Sequence, residues 1–186
     1  MVPQTIELVG PETAAKDRTA TVFDDGRLRI SAIEVDHAPI APAYAYRFDY
    51  KGRSAVVTGD LKFHPALAKA AHGVDVLVSE AISLPMTRAL GAGAKSGGRA
   101  RTAAIMHDIE DYHITPEQAA QLANDARAKL LVFYHLLPAP DNGLARRLFA
   151  QGISEARRGD WTIATDGSLY TLPIGSGDVR VGRIVD

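Results

Sequence analysis

The stretch His113–Leu136, HITPEQAAQLANDARAKLLVFYHL, decides the fold because it joins a well-specified helix start to a buried strand. Thr115 suits the N-cap, Pro116 suits the first helical position, and Gln118 lies three residues after Thr115, which predicts a capping box. Leu130–Tyr134 then form a short continuous apolar run. Such a run is typical of a strand covered on both faces, so the stretch predicts a layered α/β arrangement.

A histidine closes each end of this unit, and His135 lies where the strand is predicted to end. In layered α/β proteins, chemical groups gather where strands end and loops begin, which makes His135 a candidate site residue. A buried histidine hydrogen-bonded to backbone explains the same position equally well. The segment alone leaves both interpretations open.

The composition limits the classes of protein to which this chain can belong. The 186 residues include 21 Lys plus Arg and 22 Asp plus Glu, giving a formal net charge of −1, and they include no cysteine. Length favours one domain over residues 1–186. The charge gives no support for a nucleic-acid partner, and any metal would need His and carboxylate ligands. With neither a signal peptide nor a membrane-spanning run, a cytoplasmic protein is expected if Met1 is the true start.

The order of apolar runs and turns predicts an antiparallel β half followed by alternating strands and helices, which is an α/β class. The expected strands of the first half are Thr19–Phe23, Leu28–Val35, Ala43–Tyr50 and Ser54–Thr58. The expected later elements are a short helix Pro65–Ala71, a strand Val74–Val78, a mobile loop Gly91–Gly98, a helix Asp141–Ala156, a hairpin Trp161–Leu172 and a flexible tail 174–186. Thr5–Val9 is a further β-like run.

Three buried runs end in residues that bind metal or move protons, namely Asp60, Glu80 and His135. Neighbouring strands would bring these ends together. Carboxylate and imidazole suit zinc, manganese or iron, and a metal ion that lowers the pKa of bound water generates hydroxide near neutral pH. His113, in the loop before the helix, would then be free to act as general acid.

These elements, in the order VVTGD, DVLVSEA, HITPEQAAQLA and LLVFYHLLP, resemble the C-terminal half of the metallo-β-lactamase fold hydrolases of the ribonuclease Z-like branch. The likeness covers roughly Asp25 to Pro173 and implies a partial αββα fold. It implies that Asp60 bridges two metal ions, normally zinc, and that His135 binds one of them. It also implies that His113 protonates the leaving group and that Glu80 orients His113, during hydrolysis of an ester or phosphodiester bond by metal-bound hydroxide.

The departures from the family pattern lie upstream. The sequence contains no His-x-His-x-Asp-His motif, although Ile6–Thr13 resembles the strand and Gly-Pro turn that follow it in the family. His37 is the sole candidate for a further histidine ligand before Asp60. Asp60 and His135 are too few for a tight zinc site, so metal occupancy is in doubt.

Two hypotheses therefore compete. The first is a metal-dependent hydrolase acting on a small ester or phosphodiester, and the second is a truncated or degenerate half-domain without activity. A half-fold predicts an exposed sheet edge or apolar face, and hence self-association. An in-frame His-x-His-x-Asp-His upstream of Met1 would show that the start is misplaced.

Other residues favour structural roles. His107-Asp108 could line a pocket beside His113, but a solvated loop is the preferred interpretation. His64 and His72, around the short helix, are predicted to be structural or exposed. The alternating aromatic residues of Ala43–Tyr50 are interpreted as the packed face of a strand and not as a base-stacking platform.

Overall fold

The computed structural model describes residues 18–184. The predictions for Thr5–Val9 and Ile6–Thr13 lie outside these residues. Within the described part of the chain, no helix is both long and apolar enough to cross a membrane.

The first half of the chain is an antiparallel sheet, as the turn pattern predicts. Its strands are β1 (Thr19–Asp24), β2 (Leu28–Val35), β3 (Ala43–Tyr50) and β4 (Arg53–Val57), and each pairs with the next. Short polar turns between β-rich runs leave no room for crossovers, so neighbours in sequence become neighbours in the sheet.

The second half extends the same sheet with parallel strands. β5 (Val76–Ile82), β6 (Leu130–Leu137) and β7 (Asp160–Ile163) follow β4 in spatial order, so seven strands lie in sequence order. β4, β5, β6 and β7 pair in parallel because helical segments return the chain between them. This mixed α/β architecture confirms the predicted fold class.

One face of the sheet carries the main core. Its buried residues include Ile33, Val56, Leu77, Leu131 and Phe133, one each from β2, β4 and β5 and two from β6. The helices on this face are α1 (Leu67–Ala70), α4 (Pro116–Asp125), α5 (Gly143–Phe149) and α6 (Ile153–Ala156). The buried face of α4 is mostly alanine, which lets the helix lie close to the sheet.

The start of α4 is the one predicted from sequence. The Thr115 side chain accepts from the Gln118 backbone N–H, and the Gln118 side chain accepts from the Thr115 N–H, which completes the capping box. The backbone N–H groups of Thr115 and Gln118 are therefore both satisfied within the first turn, which fixes the start of α4 shortly after His113.

The predicted mobile loop Gly91–Gly98 is wrong. Most of it lies in α2 (Leu84–Ser96), which pairs with α3 (Ala100–Asp108) as a helical hairpin. A Cβ at Gly91 would lie 3.2 Å from the Met106 Cβ, so the small residues of α2 serve close helix packing. The loop predicted at His107-Asp108 is likewise the end of α3, and both residues are exposed.

The predicted single helix Asp141–Ala156 is two helices. Asn142 caps α5 as expected, but Gly152 has a φ of +84° and separates α5 from α6. A left-handed residue cannot continue an α-helix. The sequence of this segment also predicts an apolar side made of Leu144, Leu148 and Ile153, but Leu144 and Leu148 are exposed and only Ile153 is buried.

The predicted final hairpin is also wrong. β7 pairs with β6, while β8 (Ser168–Thr171) pairs with β9 (Arg180–Arg183) in a separate two-stranded sheet. β6 thereby has a hydrogen-bonded strand on each edge, β5 on one side and β7 on the other. Within the segment predicted as a flexible tail, residues 180–183 form β9.

The aromatic face of β3 is more open than predicted. Tyr46 and Tyr50 are exposed at 39% and 41%, while Ala45, on the opposite face, is fully buried. Side chains alternate along a strand, so the small residues of β3 face the core and the aromatic residues face away from it.

Candidate metal centre

The candidate site residues meet at one edge of the sheet. β2, β4, β5 and β6 all run in the same direction, so their carboxyl ends share an edge. His37 follows β2, Asp60 follows β4, Glu80 lies near the end of β5 and His135 near the end of β6. Chain direction therefore assembles four functional side chains from separate strands.

Gly59 allows the chain to turn before Asp60. Its φ is +62°, and a Cβ at this position would lie 2.8 Å from the carbonyl oxygen of Tyr44. Glycine is therefore required by both the backbone conformation and the contact with β3.

Glu80 and His113 form a buried pair. The His113 Nδ1 lies 2.9 Å from the Glu80 Oε1, and the two side chains are 5% and 0% exposed. The same oxygen accepts from the backbone N–H groups of Leu61 at 3.3 Å and Ile114 at 3.2 Å. This network fixes the His113 ring with its Nε2 away from Glu80, which is the sequence-predicted arrangement of these two residues.

His37 is held by a backbone carbonyl. Its Nδ1 lies 2.7 Å from the carbonyl oxygen of Tyr112, and its ring is 6% exposed. A carbonyl only accepts, so Nδ1 carries the proton and Nε2 keeps its lone pair. A histidine whose second nitrogen donates to a carbonyl is the usual form of a metal-binding histidine.

Asp60 lies between two imidazoles. Its Oδ2 is 4.0 Å from the His37 Nε2, and its Oδ1 is 3.5 Å from the His135 Nε2. Ligand atoms about 2.0–2.1 Å from a tetrahedral zinc ion are roughly 3.3–3.5 Å apart. The separation of Asp60 from His135 suits shared metal ligation, while the separation of Asp60 from His37 is wider at 4.0 Å. His37, Asp60 and His113 also offer ligand atoms that all lie within 4.8 Å of one another.

A bulge in β6 directs His135 towards the site. The pairing of β5 with β6 shifts between Ser79, opposite Phe133, and Ala81, opposite Leu136. His135 has a φ of +42° within this shift, and its side chain is 46% exposed. Bulges re-aim side chains in this way, and the exposure overturns the alternative of a buried structural histidine.

Tyr134 borders the same cluster and was missed by sequence reasoning. Burial raises the pKa of the Tyr134 hydroxyl, and the nearby carboxylates of Asp60 and Glu80 raise it further. The phenol is therefore neutral at physiological pH and able to donate a hydrogen bond. Its place within an apolar run gave no sequence signal.

His37 lies in the cluster, beside Asp60, although its sequence context marked it only weakly as a site residue. The usable signal was its place directly after a strand that runs parallel to β4. The other histidines stay apart from this cluster: His107 is exposed on α3, His72 is exposed, and His64 is buried before α1.

Comparisons with known proteins show to which family the chain belongs. The sequence model of a family described as a beta-lactamase superfamily domain matches residues 5–136. The ribonuclease Z of Mycobacterium avium (strain 104) is 32% identical over 124 residues, which cover 63% of this chain and 38% of that protein. The ribonuclease Z of Mycobacterium marinum is 31% identical over 125 residues and is covered to 39%. The chain thus spans well under half the length of these relatives.

Solved structures support the same fold. The metallo-beta-lactamase fold protein YhfI from Bacillus subtilis superposes with a TM-score of 0.52 at 18% identity, covering 76% of this chain and 49% of that chain. A metallo hydrolase from the archaeon Ignicoccus hospitalis gives a TM-score of 0.51 at 11% identity, covering 87% of this chain and 55% of that chain. At these identities the likeness concerns the fold alone.

Proposed function

Since this chain belongs to the beta-lactamase superfamily and has the metallo-β-lactamase fold of ribonuclease Z-like hydrolases, we propose that its strand-end cluster is part of a metal-dependent hydrolase site. The bond cleaved is an ester or a phosphodiester. The relatives that match this chain are named ribonuclease Z, which makes a phosphodiester of RNA the first substrate class to test.

The observation that carries the proposal is the position of Asp60 between two histidines. Its two oxygens face different imidazoles, the Oδ2 towards His37 and the Oδ1 towards His135. In this position the carboxylate would hold a metal ion together with the two histidines. His37 thereby adds a third ligand to the pair Asp60 and His135, the number that a catalytic zinc ion commonly takes from the protein.

Zinc fits this donor set best, and manganese or iron would also accept it, because all donors are imidazole nitrogen or carboxylate oxygen. When bound, such an ion would act as a Lewis acid and lower the pKa of a water molecule. The proposed ligands are His37, Asp60 and His135.

We assign His113 to proton transfer, the role that the family resemblance implies, although it also offers a ligand atom within 4.8 Å of those of His37 and Asp60. Its Nδ1 is held by Glu80, so its Nε2 faces the cluster and can carry a proton to the leaving oxygen. A buried carboxylate behind an imidazole orients the ring and stabilises its protonated form, as in other acid–base pairs. Glu80 is therefore a positioning residue.

A second candidate is a half-domain without activity. Two observations favour it: the sequence contains no His-x-His-x-Asp-His motif, and the aromatic face of the sheet is open at Phe23, Tyr46 and Tyr50. Such a face would promote self-association, either with a second copy or with a partner that supplies more ligands.

Metal analysis of the purified full chain separates the two candidates. Inductively coupled plasma mass spectrometry after dialysis against zinc should give at least about one ion per chain if His37, Asp60 and His135 are ligands. His135→Ala and His37→Ala should each lower the stoichiometry, whereas His113→Ala should leave it intact. Wild-type protein without bound metal would refute autonomous catalysis and support the inactive half-domain.

A further inference from the structure

The helical hairpin of α2 and α3 is an insertion between two site residues that touch each other. We call residues 84–108 the arm. It begins four residues after Glu80 and ends five residues before His113, and these two side chains are hydrogen-bonded at 2.9 Å. Anything that binds to the arm therefore lies on a structure rooted directly at the candidate site.

The arm projects from the body of the protein. α3 has no buried residue, and α2 buries only Thr87 and Ala94. α2 has 13 residues, which makes it about 20 Å long. A small ester held at Asp60 is too short to reach the far end of such a helix.

The arm is also the basic part of an otherwise acidic chain. Residues 84–108 contain Arg88, Lys95, Arg99 and Arg101 and a single acidic residue, Asp108, which gives +3. The whole chain has a formal net charge of −1, so the remainder carries −1 − 3 = −4. The near-neutral total therefore conceals a separation of charge.

Three of the four cations are available to a ligand. Arg88 is bonded to Glu110 at 2.8 Å near the base of the arm. Lys95, Arg99 and Arg101 are exposed around the far turn, and none has an ion pair with any residue between 18 and 184. Neighbouring like charges without counterions attract a polyanion.

We propose that the arm binds the phosphate backbone of a single-stranded RNA whose scissile bond lies at the strand-end cluster. The link to catalysis rests on the proposed hydrolase function, while binding itself does not. A polymer with repeated phosphates can contact both places at once. The arm contains no Phe, Tyr or Trp, so it offers no base-stacking platform, and binding should be independent of base sequence and strongly dependent on salt.

The test is fluorescence anisotropy of metal-free full chain with a labelled oligouridylate across a NaCl series. The arm variant combines Lys95→Gln, Arg99→Gln and Arg101→Gln. Each lost phosphate contact changes the slope of log K against log[NaCl] by about 0.7 for a single strand, so the slope should become less negative by about 2. Oligoadenylate should give the same slope.

A matched control removes the same charge at the other end of the sheet. It combines Arg27→Gln, Arg127→Gln and Arg158→Gln, all exposed and each beside the start of a strand, β2, β6 and β7 respectively. The slope of log K against log[NaCl] for the control variant should differ from the wild-type slope by less than about 0.7, which is the contribution of one phosphate contact. Both variants should keep wild-type helix content by circular dichroism, since none of the six side chains is buried.

The outcomes are distinguishable from those for the hydrolase itself. Equal losses in both variants, or no RNA binding by the wild type at low salt, would overturn the arm proposal. Binding of phosphatidylserine vesicles in place of RNA, lost in the arm variant, would also overturn it. If the chain hydrolyses bis(p-nitrophenyl) phosphate, the arm variant should do so at the wild-type rate, whereas failure of hydrolysis with RNA binding retained would count against the hydrolase alone.

Discussion

Two carboxylate–imidazole pairs at the same sheet edge differ in almost every physical respect. Glu80 and His113 are 0% and 5% exposed and 2.9 Å apart, while Asp60 and His135 are 39% and 46% exposed and 3.5 Å apart. The first pair is closed to solvent and fixed by backbone donors. The second is open, with a gap suited to an ion.

The difference follows from where the residues lie on their strands. Glu80 lies inside β5, covered by Leu61 and Ile114, whose N–H groups it accepts. Asp60 lies beyond the end of β4, and His135 lies in a bulge that turns it outward. A buried charge is stable only when it has partners, whereas an exposed charge is solvated by water and remains free to bind a ligand. The closed pair is therefore suited to holding His113 in place for proton transfer, and the open pair is suited to binding a ligand.

The largest predicted effect is on turnover, and it should come from a substitution in the closed pair. If the chain is active with metal, His113→Ala should slow cleavage of a dinucleotide by roughly 100- to 10,000-fold, the usual contribution of a general acid. The leaving alkoxide of a dinucleotide needs a proton. Steady-state rates by chromatography of the products measure the effect.

The leaving group provides the control for this prediction. The p-nitrophenolate of bis(p-nitrophenyl) phosphate leaves without protonation, so His113→Ala should slow it by less than about 10-fold, well below the range for general acid catalysis. Equal slowing of both substrates would mean that His113 acts on structure or metal binding and not as the acid.

The two pairs should also differ, by a smaller effect, in how much they contribute to the free energy of unfolding. Glu80→Ala removes the acceptor of three buried donors, and breaking a buried charged pair costs about 3–5 kcal/mol. His135→Ala truncates an exposed side chain, and such changes are usually within about 0.5 kcal/mol. Urea unfolding of metal-free protein, followed by circular dichroism, measures both free energies of unfolding.

Matched variants sharpen the stability comparison. Glu80→Gln retains an oxygen at the acceptor position, so it should lose less stability than Glu80→Ala. A loss in His135→Ala as large as in Glu80→Ala would show that the open pair also supports the fold, and the distinction drawn here would fail.

The sequence predicted the parts of this arrangement that depend on local signals. The capping box at Thr115 and the apolar runs before Asp60 and Glu80 are local, and the structure contains each of them. Parallel strands share an edge, so strand ends alone brought Asp60, Glu80 and His135 together. The functional roles given to these residues stay predictions.

The features that sequence did not predict depend on contacts between distant segments. His37 is held by Tyr112, a residue 75 positions away, and nothing near His37 signals that bond. The bulge at His135 exists because β5 and β6 change register, which no pattern within β6 shows. The glycines of α2 suggest a loop until α3 is present to pack against them.

The smallest predicted effect concerns a single carboxylate far from the site, Asp25, which serves as the reference for acid sensitivity. Hydrogen bonds from the backbone N–H groups of Leu28 and Arg27 lower the pKa of Asp25 below its usual 3.8. A lowered folded-state pKa contributes stability above the unfolded value, which is lost as pH falls through the folded value. Asp25→Asn keeps an acceptor that does not titrate, so its free energy of unfolding should fall less steeply than that of the wild type between about pH 5 and pH 3. Urea unfolding at several pH values measures this slope, and identical slopes in both proteins would assign the acid sensitivity to other carboxylates, with Glu80 and Asp60 the next to test.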